Sequence, residues 1–285
     1  MKSAWNRERL WAVRLMAGHA CHRASLRVGA ALLPCLPPRM QNRMAEEAFA
    51  WIGPRLQPHR HTRALGALQQ LGHKSSAATR LAARFLATSW IRQARFHRLR
   101  HLPFPAQQDV LRAMRWHDPL ALWAAAAGRR RVICILPSGD MELAMAALLD
   151  RPGAPSHYFI STYHRQGSPR HRVLAALQRQ GHRLDIGQSG QSGQAWRHLR
   201  RGASVVTKLD PWSGDGREPG PLRLARLAQV PVLLLGHRCD DSEAGTLHVL
   251  GEFGAESMAD GAASLRAAAL AFLATAPHDW ADLDR

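Results

Sequence analysis

The chain has 285 residues, enough for one α/β domain with a helical extension, and its 46% hydrophobic content excludes a disordered polypeptide. Its net charge of +18 is placed unevenly: residues 1–131 hold 23 Lys and Arg against 5 Asp and Glu, while residues 132–285 hold 16 of each. The excess positive charge therefore lies wholly in the N-terminal part, which points to an anionic partner or to a solvated basic face. Specific nucleic acid is not the expected partner, because the arginines are scattered among Ala and Leu at helical spacing without a binding signature.

Residues 1–33 read as a helix in which Trp5, Leu10, Trp11, Leu15 and Met16 share one side and Arg7, Arg14 and Arg23 the other, the pattern of a surface-lying amphipathic helix or of one packed on its own domain. No stretch reaches 18 continuous apolar residues, so no transmembrane helix is expected. Pro34, Pro37 and Pro38 break the first helix, and a second runs over 41–52 with Met44, Ala48, Trp51 and Ile52 periodic until Pro54 and Pro58. Two more helices fill 62–99 on either side of Gly72, and Pro103 and Pro105 mark a hinge before a helix over 106–127. From 129 onward short apolar runs alternate with helical ones: strands at 132–136, 157–161, 183–186, 203–208, 230–235 and 246–250, helices at 141–150, 168–180, 191–200, 221–228 and 258–275. This alternation predicts an α/β fold, a mainly parallel sheet flanked by helices, with residues 1–128 as a basic helical N-terminal region and 129–285 as the core.

Cys21, Cys35, Cys134 and Cys239 form no Cys-x-x-Cys and read as reduced thiols. No metal centre is expected, since none of the 16 histidines falls in a short ligand pattern and His59 and His61 lie in a loop-like region. No cofactor is expected either.

The most informative stretch is Leu136-Pro137-Ser138-Gly139-Asp140-Met141-Glu142-Leu143, where an apolar strand runs into a helix. Ligands of α/β sheets bind beyond the carboxyl ends of strands. Asp140 or Ser138 can cap the helix, and Glu142 falls in its first turn, where the dipole favours a carboxylate. This segment resembles the lauroyl and myristoyl acyltransferases of lipid A assembly, members of the lysophospholipid acyltransferase superfamily, whose hallmark is His-x4-Glu. Gly139, Glu142 and Leu143 match, Asp140 stands for an Asn and Met141 for a Trp, while the motif His position holds Pro137. Tyr163 to Pro169 is similar to the family's Tyr-Arg-Pro segment, and Leu199 to Val206 followed by Asp210 to its Leu-Arg-x-Gly strand ending in Asp. Leu222 to Val232 and Pro277-His278-Asp279-Trp280 are similar to two further family segments, in the same order.

The resemblance implies a glycerolipid acyltransferase-like fold, acyl carrier protein or acyl-CoA as donor, a lipid or glycolipid hydroxyl as acceptor, and a peripheral place on the cytoplasmic face of the bacterial inner membrane, against its anionic surface. It implies Glu142, Asp140 and His164 as catalytic candidates and Ser138, Gly139, Arg165 and Asp210 as substrate-binding ones. Acyl transfer needs a base, an oxyanion donor and a groove for the chain, and Pro137 cannot accept a proton. His157, His164 and His117 are the substitutes to weigh. Ser138 is not a nucleophile candidate, lacking a Gly-x-Ser-x-Gly elbow. Two readings stand: an acyltransferase with a rearranged base, and a catalytically silent relative that binds acyl chains, a carrier protein or partner enzymes.

Overall fold

The computed structural model describes residues 28–29, 31, 35–99, 101–125, 128–162, 169–188, 192–209, 219–240, 244–254, 258–281 and 283. The expected amphipathic face from Trp5 to Met16 lies outside them. The chain divides into two compact units, Met1–Leu102 with Leu283–Arg285, and Pro103–Asp282.

The first unit contains helices α1 (Pro38–Leu56), α2 (Pro58–Gln70) and α3 (Ser75–Leu99). Pro38 and Pro58 sit in first turns, where a missing N–H costs nothing and the fixed φ favours the helix. That placement puts His59 and His61 on α2 rather than in a loop. The expected stop at Pro54 is overridden, with Pro54 inside the last turn of α1. The buried stripe of α1 is Ala45 and Phe49, not Met44 and Trp51, which are 53% and 71% exposed. Phe49 meets Trp90 of α3 at 6.0 Å between ring centroids, and Glu46 pairs with Arg84 at 2.8 Å. Ala64 and Leu68 of α2 and Ala78, Ala82, Phe85 and Leu86 of α3 are buried. Among the described residues no helix is long and apolar enough to cross a membrane.

The second unit is α/β. In order it contains α4 (Phe104–Arg112), β1 (Arg115–His117), α5 (Leu122–Ala125), β2 (Val132–Ile135), α6 (Met141–Ala147), β3 (Tyr158–Thr162), α7 (Pro169–Arg179), β4 (Leu184–Gln188), α8 (Ser192–Arg200), β5 (Ser204–Lys208), α9 (Gly220–Ala228), β6 (Val232–Arg238), β7 (Thr246–Phe253) and α10 (Met258–Thr275). Among the described residues the sheet has seven strands in the order β1-β7-β6-β2-β5-β3-β4. Every neighbouring pair is parallel except β6 with β7. β2 is buried along its whole length, which is why it reads as an unbroken apolar run rather than an alternating one. Phe159 packs with Leu199, Val205, Val232 and Leu265 on one side of the sheet. The Tyr158 hydroxyl turns to the other and donates to the Leu148 carbonyl at 3.1 Å.

The single helix expected over 106–127 is instead α4, β1 and α5. Pro119 disfavours helical geometry at Asp118, and β7 has a free edge that Arg115–His117 extends in parallel. The Asp118 carboxylate then starts α5 by accepting from the Leu122 and Trp123 amides at 3.0 and 2.8 Å. Residues 103–128, grouped with the helical region on sequence grounds, thus supply a strand of the sheet.

Trp123 anchors an aromatic ladder at this edge. The Arg131 guanidinium lies 4.3 Å above its ring, Trp116 packs on it at 4.9 Å, and Arg151 lies 4.3 Å from Trp116. Arg131 is 0% exposed, and among the described residues none of its three guanidinium nitrogens has a hydrogen-bond partner. Burial pulls its pKa down, opposed by Tyr158, Glu252 and Asp118. The cation–π contact, about 2 kcal/mol when desolvated, offsets only part of the cost of burying that charge. Replacing Arg131 with Met is therefore expected to leave the thermal midpoint unchanged or raise it, whereas Trp123→Ala costs about 3–5 kcal/mol; thermal and urea unfolding of both variants check this.

His248 of β7 lies between His117, 5.1 Å away, and Phe272 of α10, 5.3 Å away. Burial first, then His117 and Arg238, lower its pKa from 6.5 to about 4, with Asp240 opposing. The unfolded chain takes up this proton first, so the stability His248 contributes is whole above about pH 6.5 and drains away as the pH falls toward about 4. In urea titrations between those pH values, His248→Gln should lose less stability than the wild type; equal losses would contradict the assignment.

Candidate functional site

The turn leaving β2 is built from buried polar groups that are all directed inward. Leu136 still belongs to the sheet, its amide donating to the Leu235 carbonyl at 2.8 Å. The next three amides each find an acceptor: Ser138 the Leu136 carbonyl at 2.7 Å, Gly139 the Asp279 carbonyl at 2.8 Å, and Asp140 the Nδ1 of His237 at 2.9 Å. Because Nδ1 accepts, the ring proton sits on Nε2, which donates to the Ala244 carbonyl at 2.9 Å. His237 is thus a neutral, 1% exposed brace with both nitrogens engaged.

Side chains follow the same rule. Ser138 is 0% exposed, and its hydroxyl accepts from the His237 amide at 3.1 Å. Asp140 is the N-cap of α6, its Oδ1 accepting from the Leu143 amide at 3.1 Å. Glu142 is half-buried in the first turn of that helix, on the side of the dipole that favours a carboxylate. Gly139 has φ +52, and a Cβ there would stand 2.3 Å from His237 Nδ1; a Cβ at Gly245, φ +75, would stand 2.5 Å from His237 Cε1. Only glycines admit the imidazole from both sides.

The C-terminal segment completes the turn. Ser138 and Trp280 form an antiparallel bridge, and the Ala281 amide donates to the Pro137 carbonyl at 2.6 Å. Two stretches far apart in sequence, Pro137–Gly139 and Asp279–Ala281, thereby zip together at the carboxyl end of β2. Arg238, ending β6, secures the segment: its guanidinium lies 3.7 Å from the Phe272 ring centroid and 3.9 Å from Asp279 Oδ2. It also donates to the carbonyls of Phe272 and Ala276 and to Thr275 Oγ1. Burial draws its pKa down and Asp279 opposes that.

Of the residues singled out from sequence, Ser138, Gly139, Asp140 and Glu142 meet here, whereas His164, Arg165 and Asp210 lie outside the described residues. Neither remaining substitute base reaches the turn. His157 precedes β3, at the amino edge of the parallel strands, opposite the edge where β2 delivers Glu142. His117 lies on β1, three strands from β2, about 14 Å at the usual strand spacing. Sequence reasoning missed His237 and the closing role of Asp279 and Trp280. Their signals were faint: a His-Arg pair ending an apolar strand, and a Pro-His-Asp-Trp segment after the last helix.

A second constellation lies at the amino edge. His157 Nε2 is 2.9 Å and His198 Nδ1 3.6 Å from Asp185 Oδ2. The two imidazoles are nearly parallel, at 9° and 6.3 Å, and Phe159 stacks on His198 at 4.5 Å. Burial lowers the His198 pKa, Asp185 raises it, and His157, Arg201 and Arg197 lower it further. Cys134, by contrast, is wholly buried in β2, its thiol pKa pushed far up by burial, and is chemically inert.

Comparison with protein-family models and with curated proteins found no match for this chain.

Gly139→Ala combines left-handed strain with a clash against His237, and a loss of roughly 2–5 kcal/mol is expected in chemical denaturation. A variant as stable as the wild type would mean that the turn is not braced as described.

Proposed function

We propose that this chain is a relative of the lipid A lauroyl and myristoyl acyltransferases that has kept the strand-turn-helix of the fold for binding and not for transfer by the His-x4-Glu route. The observation that carries this reading is the commitment of the amides of Ser138, Gly139 and Asp140 to Leu136, Asp279 and His237. An oxyanion site needs donors aimed at the reacting carbonyl and free to serve it. Pro137 removes the base as well, and general-base assistance is worth about 10² to 10⁴ in rate. The function that remains is to hold an acyl chain, an acyl carrier protein or a partner enzyme. The basic N-terminal part provides electrostatic attraction for an acidic carrier or an anionic lipid surface at the inner membrane. A mostly parallel seven-stranded sheet flanked by helices and the order of the four similar segments are compatible with the kinship.

One observation favours the enzymatic reading. Glu142 keeps the position of the family's motif carboxylate, half-buried in the first turn of α6.

Incubation of the full chain with radiolabelled lauroyl- or myristoyl-acyl carrier protein and lipid acceptors separates the two. The expected result is retention of the carrier by the wild type with no label transferred. Pro137→His alone should stay inactive, because the turn amides remain engaged. Transfer by the wild type that Glu142→Ala abolishes would establish the enzyme instead, and absence of both binding and transfer would remove the kinship argument.

A further inference from the structure

We propose that His157 Nε2, His198 Nδ1 and Asp185 Oδ2 bind a divalent transition-metal ion of the zinc class, with a remaining coordination position facing the groove along β4. The three donors come from three places: the residue before β3, the second residue of β4, and the last helical turns of α8. All three atoms lie within 4.8 Å of one another, with Asp185 Oδ2 2.9 and 3.6 Å from the two nitrogens. A tetrahedral ion with bonds of about 2.0–2.2 Å separates its ligand atoms by roughly 3.3–3.6 Å, and the two Asp185 spacings lie at or just below that range. Small side-chain rotations close the remainder.

The ligands are also held. Phe159 stacks on His198, and the Gln178 amide donates to Asp185 Oδ1 at 3.5 Å, leaving Oδ2 as the ligand oxygen. Such contacts beside a metal site set ring orientation and ligand basicity. Two imidazoles and one carboxylate form a borderline donor set, suited to zinc, cobalt or nickel and poorly suited to magnesium or calcium, which take oxygen ligands. A plain half-exposed His–Asp pair is worth about 0–1 kcal/mol and needs one imidazole, whereas two stand within 3.6 Å of the same carboxylate oxygen.

The surroundings specify what completes the shell. Asp185 and His198 also line a groove of about 560 Å³, shared with His171, Gln194, Arg197 and Arg201. Zinc with two neutral imidazoles and one carboxylate carries net charge +1, and two guanidiniums nearby add to it. An anionic group, a carboxylate or a phosphate, is therefore the fitting fourth ligand, held by the metal and by Arg197 and Arg201 together. This site is independent of the acyltransferase reading, since it lies at the opposite edge of the sheet from Glu142.

The test uses the full chain, freed of metal by chelation and titrated with zinc by calorimetry and with cobalt by visible absorption. One saturable zinc site per chain is expected, weakened about tenfold or more in each of His157→Gln, Asp185→Asn and His198→Gln, and unchanged in a His59→Gln, His61→Gln control. Cobalt should give the intense bands of a four-coordinate site, and added phosphate should shift them. Absence of saturable binding overturns the proposal, as does equal affinity in the variant lacking all three ligands. Should a ligand variant fail to fold, the wild-type cobalt spectrum decides: four-coordinate nitrogen and oxygen bands support the site, and weak six-coordinate bands overturn it.

Discussion

Backbone amides that pass out of a buried strand must find acceptors before water can serve them, and this constraint governs the centre of the sheet. β2 lies between β5 and β6 with every residue buried, so the turn after Leu136 emerges where no solvent compensates a lost hydrogen bond. The chain answers with three acceptors of different kinds: its own carbonyl, an imidazole from β6, and a carbonyl from the far end of the sequence. His237 can serve only in one neutral tautomer, because Nδ1 accepts while Nε2 donates. A buried hydrogen-bonded group left without its partner costs about 1–3 kcal/mol, so the brace, the two flanking glycines and the C-terminal clasp are mutually dependent.

That dependence changes what a familiar-looking motif does. Glycine after a strand end is usually read as room for a ligand to approach the backbone. Here the approaching atoms at Gly139 belong to His237. An acid before a helix is usually read as a cap or a catalyst, and Asp140 is a cap with its Oδ1 on Leu143. Ser138 looks like a site residue by position, yet its hydroxyl accepts from a strand amide in full burial. The same residues thus serve stability, and the amides of the turn are committed to one another's surroundings rather than directed at open space.

Much of the core was legible because its central strands are buried on both faces and separated by helices with punctuating Gly and Pro. The runs Val132–Ile135, Tyr158–Thr162 and Ser204–Lys208 all appear where apolar periodicity places them. β1 was not legible: three residues, Arg-Trp-His, carry no periodicity, and only pairing with β7 makes them a strand. The turn at Ser138 was legible as a local feature, but its closure was not, since one bridge to Trp280 leaves no pattern in the intervening sequence. The face of α1 was misjudged for a related reason. Met44 and Trp51 share a helical side with apolar character, but the contacts to α3 are made by Ala45 and Phe49.

The grouping of His157 with Asp185 and His198 was invisible for a stronger reason, because topology alone joins them. β3 and β4 are adjacent and in register, so the start of one strand lies beside the start of the next. α8 must then run back from the carboxyl edge to the amino edge before β5 can enter in parallel, and its last turns carry His198 to that place. Any βαβ crossover brings three elements together at each edge in this way. Evolved α/β sites favour the carboxyl edge because helix N-termini point there. At the amino edge the helices present their C-termini, whose partial negative charge disfavours an anion alone and favours a cation. A metal ion is thus the ligand class that this edge's own field suits, and it would reverse the local sign so that an anion follows.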